Sequence, residues 1–372
     1  MATPLRIGLI GYQFMGRAHS NAYRQVNRYY DLPYEVEMRT LCGRTPGKVT
    51  AAARQLGWQQ AETDWRRVVE DPEIDVIDVS TPGDSHCEIA VAAAEAGKIV
   101  WCEKPIGNTL DEARRMADAV ARSGQPSAVF HNYRYAPAIM HAKRLIEEGR
   151  LGAIHHFRAV YLQDWIADPG FPWVWRLDKN LAGSGSLGDI GSHIVDLGRH
   201  LVGEFEALSG RLKTFVPERS DGEGGRRQVT VDDAAIAIAE MNGGVLATLE
   251  ATRFALGRRN HNRIEINGSR GSLVFNLERF NELEFFDGDE PADEQGFRTI
   301  QVTGADFEGA APYWPPGHVV GYEHTFINLI AQAIRCLASG ERMRADMADG
   351  LENQRVLDAW KRSDAANAWV RL

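Results

Sequence analysis

The segment WCEKP, residues 101 to 105, sets Glu103 and Lys104 directly after an apolar, strand-like run. A lysine before proline is held extended, which aims its side chain. Farther along, in GSGSLGDIGSHIVDLGRHLVG, Asp189 and His193 stand four residues apart. On a helix that spacing puts both on one face. An imidazole titrating near neutrality is a suitable proton acceptor, and a carboxylate one turn away can orient it. The bland alternative is a capped, half-buried helix with an ordinary side-chain pair. No metal is expected, because no third ligand is spaced nearby and Lys104 would repel a cation.

GLIGYQFMG, residues 8 to 16, adds a third constellation. A strand, a glycine turn and a helix N-terminus make a phosphate site, since free N–H groups and the positive end of the helix dipole face the ligand. Gly11 and Gly16 keep the outer spacing of G-x-G-x-x-G, but Gln13 replaces the middle glycine. The cofactor is then held slightly farther off, or Gln13 donates its amide to a phosphate oxygen. Dinucleotide sites usually carry an acid at the end of the second strand for the adenosine ribose. Here that place reads Cys42-Gly43-Arg44-Thr45. No carboxylate repels a 2′-phosphate and Arg44 could pair with one, which tips the choice slightly towards NADP. A solvated Arg44, or one stacked on adenine, is the alternative, and NAD or NADP stays open.

The elements that must position these groups follow from periodicity. RIGLIG, EMRTLCG, IDVIDVS and KIVWC read as strands, alternating with helices through RAHSNAYRQV, KVTAAARQLG, HCEIAVAAAEAG and LDEARRMADAVARSG. Ser85 with Glu88, and Thr109 with Glu112, have capping-box spacing. Such alternation means parallel βαβ units. After about residue 155 the pattern changes. Residues 218 to 228 read as a loop, and AAIAIAEM, GVLATLEATRF, NRIEING, GSLVFNLE and NELEFF read as strands of an antiparallel sheet. Two helical stretches close the chain, GYEHTFINLIAQAIRCLASG and GLENQRVLDAWKRSDAANAW.

Composition agrees with a globular, two-domain chain: 372 residues, 44% hydrophobic and 25% charged. A net charge of -9 offers no basic patch for a phosphate backbone, so nucleic acid is not an expected partner. The four cysteines show no C-x-x-C spacing and read as buried thiols of a reducing compartment. The apolar run of MATPLRIGLIG is too short for a signal peptide, and no run reaches the roughly 18 residues of a membrane span. A cytoplasmic protein without a membrane partner is expected.

Together GLIGYQFMG, DVIDVSTP followed by His86, AGKIVWCEKP, HNYRY and GSLGDIGSH resemble the family of glucose-fructose oxidoreductase and inositol dehydrogenase along nearly the whole chain. The resemblance implies an α/β fold: a Rossmann dinucleotide-binding domain over residues 1–130, then an α/β domain over 131–350 with an open, mainly antiparallel sheet. A C-terminal helix, 351–372, would pack back on the first domain. One face of the sheet would carry the substrate site and the other the interface of a homodimer or homotetramer. By the same likeness Lys104 and His193 are catalytic, with Asp189 supporting the sugar and the histidine. The cofactor would lie along Gly11, Gln13, Phe14, Met15 and Gly16, then Arg44 and Thr45. Ser80, Thr81, Pro82 and His86 follow, and Glu103, Lys104, Trp175 and Arg176 would lie near the nicotinamide half. Gln13, and Gly83 where T-P-N would have asparagine, are the two departures.

The implied reaction is hydride transfer from a ring carbon of a sugar to NAD or NADP, with His193 as base and Lys104 stabilising the alkoxide. Tyr161, Gln163, Asp164, Trp165, Trp173 and Trp175 supply the aromatic faces and polar groups that suit a pyranose or anhydropyranose, and the resemblance implies its oxidation at C3. Some of these tryptophans are expected in the core. Asn132, Tyr133, Arg134 and His318 are further candidates for the sugar. The same residues would serve a glycosidase that retains NAD and works by transient C3 oxidation, elimination, hydration and re-reduction. A non-catalytic dinucleotide sensor is the remaining alternative.

Overall fold

A computed structural model describes residues 3–372. The chain divides into two compact units, one of residues up to 135 with 321–352, the other of residues 136–320 with 353–372.

In the first unit β1 (Thr3–Ile10), α1 (Phe14–Tyr29), β2 (Tyr34–Cys42), α2 (Pro46–Leu56), β3 (Gln60–Glu62), α3 (Trp65–Glu70), β4 (Val76–Val79), α4 (His86–Glu95), β5 (Ile99–Cys102), α5 (Leu110–Ser123) and β6 (Ser127–Val129) alternate along the chain. The six strands form one parallel sheet in the order β3-β2-β1-β4-β5-β6. Ile7, Leu9, Val76, Ile77 and Val79 are fully buried, as strands covered on both faces must be. The chain order reverses between β1 and β4, so their carboxyl ends bound the crevice where such sheets bind ligands. Thr109 and Glu112 form the expected capping box at α5. Ser85 and Glu88 do not. The Ser85 hydroxyl is spent on Thr81 and Pro82, and Glu88 pairs with Arg66.

The second unit opens with α6 (Pro137–Glu147) and β7 (Ile154–Leu162). The short α7 (Lys179–Ala182), a π-helical turn at Leu187–Gly191 and α8 (Ser192–Leu201) follow. Then come β8 (Phe205–Lys213), β9 (Glu218–Ser220), β10 (Arg226–Gln228), β11 (Ala234–Met241), β12 (Val245–Thr252), β13 (His261–Gly268), β14 (Gly271–Asn276), β15 (Glu282–Asp287) and β16 (Arg298–Gln301). With the terminal strand β17 (Val370–Arg371), the main sheet runs β16-β15-β14-β13-β7-β12-β11-β8-β17. It is antiparallel except where β12 lies parallel to β7, so it is mixed. β11 alternates cleanly: Ala235, Ala237, Ala239 and Met241 point inward, while Ile236 and Ile238 are 54% and 53% exposed. The segment 218–228, read as loop, is instead a small hairpin, β9 against β10, whose turn is tied by Asp221 accepting from Glu223 and Gly225.

The two compact units divide the C-terminal helices differently from the expected boundaries. α9 (Tyr322–Ser339) belongs to the first unit, where Tyr30 donates to Asn328 at 2.7 Å, and its buried Phe326, Ile327 and Ile330 need an apolar partner. α10 (Met347–Ala366) is divided, its residues up to 352 belonging to the first unit and those from 353 on to the second. Trp360 is fully buried and so close to Gly210 that a Cβ there would lie 2.4 Å from its indole nitrogen. The four cysteines are free and buried, and burial, then Glu62 and Asp64, pushes the Cys42 thiol up to about 12. Among the described residues no helix is long and apolar enough to cross a membrane.

Candidate active site

The glycine turn is built by close approach. Gly11 has φ +114°, and a Cβ on it would lie 2.7 Å from the Ser80 carbonyl and hydroxyl oxygens; one on Gly16 would lie 2.2 Å from the Gly11 carbonyl. Glycine at both positions therefore lets β1 turn straight into α1 beside β4. The helix begins at Phe14, earlier than the sequence pattern suggests. No side chain caps it, no acid stands in its first turn, and Gln13 and Phe14 are exposed. Open N–H groups without a competing carboxylate suit the pyrophosphate of a dinucleotide. Phe14 stacks on Tyr322 of the same unit, with centroids 6.3 Å apart.

At the end of β2, Arg44 and Thr45 are exposed. Gly43 has a packing reason: a Cβ would lie 2.1 Å from the Tyr12 ring. A side chain at position 43 would collide with Tyr12, which accounts for glycine there. Gly83 is filled from elsewhere in the same way, since a Cβ would lie 2.4 Å from Asn108 Oδ1. The Asn108 amide occupies the space into which a side chain at position 83 would project.

His86 ties this turn to the EKP turn. Its ring nitrogens lie 2.8 Å from the Thr81 carbonyl and 3.1 Å from the Pro105 carbonyl. Lys104, half-buried, follows the end of β5, and its backbone N–H donates to Glu103 Oε2 at 3.1 Å. Behind Glu103 lies a residue that sequence reasoning missed. His19, fully buried on α1, lies 2.9 Å from Glu103 Oε1 and 2.8 Å from Asp78 Oδ2. Burial alone would lower its pKa, but the charge of Asp78 and hydrogen bonds to Asp78 and Glu103 outweigh it and raise it to about 9.

In the second unit Asp189 sits on the π-helical turn and His193 on the first turn of α8. Such turns recur at functional sites because they break the regular helical spacing. Two residues absent from the sequence reading hold this one. Asp232 accepts from Gly185 N–H, the Ser186 hydroxyl and Leu187 N–H, each at 2.7 Å. Arg253, 1% exposed, donates from Nη2 to Asp189 Oδ2 at 2.7 Å and to the Gly185 carbonyl at 3.1 Å, while its Nε and Nη1 have no hydrogen-bond partner among the described residues. Their only sequence signal was a charge just beyond, or just before, an apolar strand.

Tyr161 faces His193, with ring centroids 5.9 Å apart. Asn260, also missed, joins Tyr161 to Gln163: its Oδ1 accepts from the Tyr161 hydroxyl at 2.7 Å and from Gln163 Nε2 at 2.9 Å. Trp165 stands under the Arg253 guanidinium, and Arg176 lies over Trp175 at 4.5 Å. Other candidates have structural partners. Trp173 donates to the Gln228 carbonyl, and Asp164 accepts from Gly257 and Arg259. Within the first unit, buried Arg134 pairs with Asp349, Asn132 donates to Thr325, and the Tyr133 ring stands edge-on to Tyr322. His318 lies on an exposed loop of the second unit, with Nδ1 3.2 Å from the Pro315 carbonyl. Among the described residues no group of three His, Cys, Asp or Glu is placed to hold a metal ion.

Residues 5–131 match the oxidoreductase family with an NAD-binding Rossmann fold, and residues 139–274 match the GFO/IDH/MocA C-terminal domain. The levoglucosan dehydrogenase of Pseudarthrobacter phenanthrenivorans is 40% identical, over 98% of this chain and 97% of that protein. An oxidoreductase domain protein from Kribbella flavida is 51% identical in its crystal structure, with a TM-score of 0.97 over 99% of both chains. The structure of a levoglucosan dehydrogenase in complex with NADH and levoglucosan is 41% identical, with a TM-score of 0.97 over 100% of this chain and 99% of that one. Two domain matches in tandem, and a relative alike over nearly the full length, make this chain a member of the Gfo/Idh/MocA family of NAD-binding oxidoreductases.

Proposed function

We propose that the protein is an NAD-dependent dehydrogenase that oxidises a ring secondary hydroxyl, at C3, of a pyranose or anhydropyranose such as levoglucosan. The observation that carries this reading is the likeness to a levoglucosan dehydrogenase over 98% of the chain. The nicotinamide, when bound, accepts the hydride from the ring carbon. His193 takes the hydroxyl proton, and the Lys104 ammonium stabilises the developing alkoxide. Asp189, fixed by Arg253, accepts a hydroxyl of the sugar and orients the imidazole. Tyr161 and Gln163, joined through Asn260, supply further polar contacts, and Trp165 and Trp175 supply apolar faces.

NAD is favoured over NADP. Gly43 is accounted for by Tyr12, the Arg44 charge lies close enough to Asp84 to be felt by that carboxylate, and a similar structure holds NADH. The reading is tested by following reduced-nicotinamide absorbance with levoglucosan, other pyranoses and glycosides, adding NAD and NADP separately. A rise with NAD and an anhydrosugar or pyranose is expected. Release of an aglycone without net reduction would replace it with the glycosidase chemistry.

A further inference from the structure

His19 belongs to a charged cluster sealed within the first unit. Asp78 comes from β4 and Glu103 from the end of the adjacent β5, and both carboxylates are turned onto the one imidazole, at 2.8 and 2.9 Å. The Tyr23 hydroxyl donates to the same Asp78 oxygen at 2.7 Å, while Asp78 Oδ1 has no hydrogen-bond partner among the described residues. Phe130 stacks on the ring with centroids 3.9 Å apart, and Phe326 lies at 5.4 Å. Ionised carboxylates only accept hydrogen bonds, so an imidazole that satisfies both must carry a proton on each nitrogen. Without that cation two buried carboxylates would repel each other, and one would have to take up a proton or turn away. Glu103 is also held from its other side, by the N–H of Lys104.

We propose that His19 is a positioning residue for the dehydrogenase: its imidazole, bonded at both nitrogens, clamps the Glu103 carboxylate and through it the Lys104 backbone, presenting the EKP turn in one geometry. The proposal rests on the reading that Glu103 and Lys104 serve the cofactor and the alcohol. Among the described residues the titratable groups bonded to His19 are Asp78 and Glu103, with Tyr23 bonded in turn to Asp78; the two phenylalanine rings beside it do not titrate. The clamp therefore holds while the imidazole keeps both protons and loosens as pH rises through about 9.

The test is NADH affinity, by fluorescence titration of the full-length protein between neutral and alkaline pH. In the wild type, affinity should fall through the alkaline range. His19→Gln, whose donors share one nitrogen and whose other end is an acceptor facing the second carboxylate, should bind NADH roughly tenfold more weakly at neutral pH, about the size of one hydrogen bond to a charged group, and show no alkaline fall. Glu103→Gln leaves the His19–Asp78 pair but removes one raising charge, so its fall should move towards neutrality. That variant decides the matter if His19→Gln does not fold. Wild-type affinity and an unshifted profile in a folded variant would overturn the proposal. Lys104→Ala, assayed beside them for turnover of levoglucosan, separates the two ideas. Lost turnover there with an unshifted His19→Gln profile overturns only the clamp, and retained turnover overturns the functional reading beneath it.

Discussion

Arg253 Nη2 lies 2.7 Å from Asp189 Oδ2, a guanidinium 1% exposed against a carboxylate 34% exposed. The charge is buried on one side only, so the arginine fixes where the carboxylate points while leaving it reachable. Replacing Arg253 with methionine removes one partner of this pair. With Asp189 partly solvated the cost falls below the roughly 3–5 kcal/mol of a fully buried pair, to about 2 kcal/mol, or roughly 30-fold. We expect that loss in kcat/KM for the sugar, with NADH affinity unchanged, and partial recovery in Arg253→Lys. Steady-state kinetics beside an NADH titration checks both.

Lys104→Ala and His193→Ala should each lower kcat by roughly 100- to 10,000-fold, the usual worth of acid–base help, while NADH still binds. Near-normal turnover in either variant would remove that residue from the chemistry.

Stability should carry the signature of His19. Its folded pKa is raised from 6.5 to about 9. A raised pKa means the folded state holds the proton more tightly. The contribution is therefore full below pH 6.5 and is lost as pH rises through about 9. Melting temperature recorded from pH 6 to 10 should decline across that window in the wild type and stay flatter in His19→Gln.

Gly43→Ala should weaken NAD binding by forcing the Tyr12 ring aside, at the roughly 1–3 kcal/mol of overpacking. The double variant with Tyr12→Ala should recover most of the loss. If Gly43 instead served a 2′-phosphate, NADP activity would suffer selectively and Tyr12→Ala would restore nothing. Activity with each cofactor decides.

Ile236, Ile238 and Leu246 are 54%, 53% and 56% exposed on the open face of the second unit's sheet. Contiguous apolar side chains of this kind mark association surfaces. If copies of the chain associate through this face, Ile236→Glu with Ile238→Glu lowers the mass seen in light scattering; an unchanged mass would exclude this face as an interface.

The local signals were strong where one property repeats. Continuous apolar runs identify β1, β4 and β5 as strands covered on both faces, and the two-residue alternation of β11 gives its inward alanines, because burial selects side chains one by one. The EKP turn and the Asp189–His193 spacing were legible for a similar reason, since residue type and offset carry their chemistry. Short elements such as β3 and β9 hold too few residues to show a period. Only the fold decided that Gly43 answers to Tyr12, Gly83 to Asn108, Asp189 to Arg253 and Glu103 to His19. Each pair joins residues from 25 to 84 positions apart or turns on a ring packed over a neighbouring strand, and sterics and charge act through space, where sequence distance has no meaning. The same holds for the chain's end: a helical pattern predicts α10, but the packing of Trp360 on Gly210, so close that a Cβ there would meet the indole nitrogen, decides which unit its last turns join.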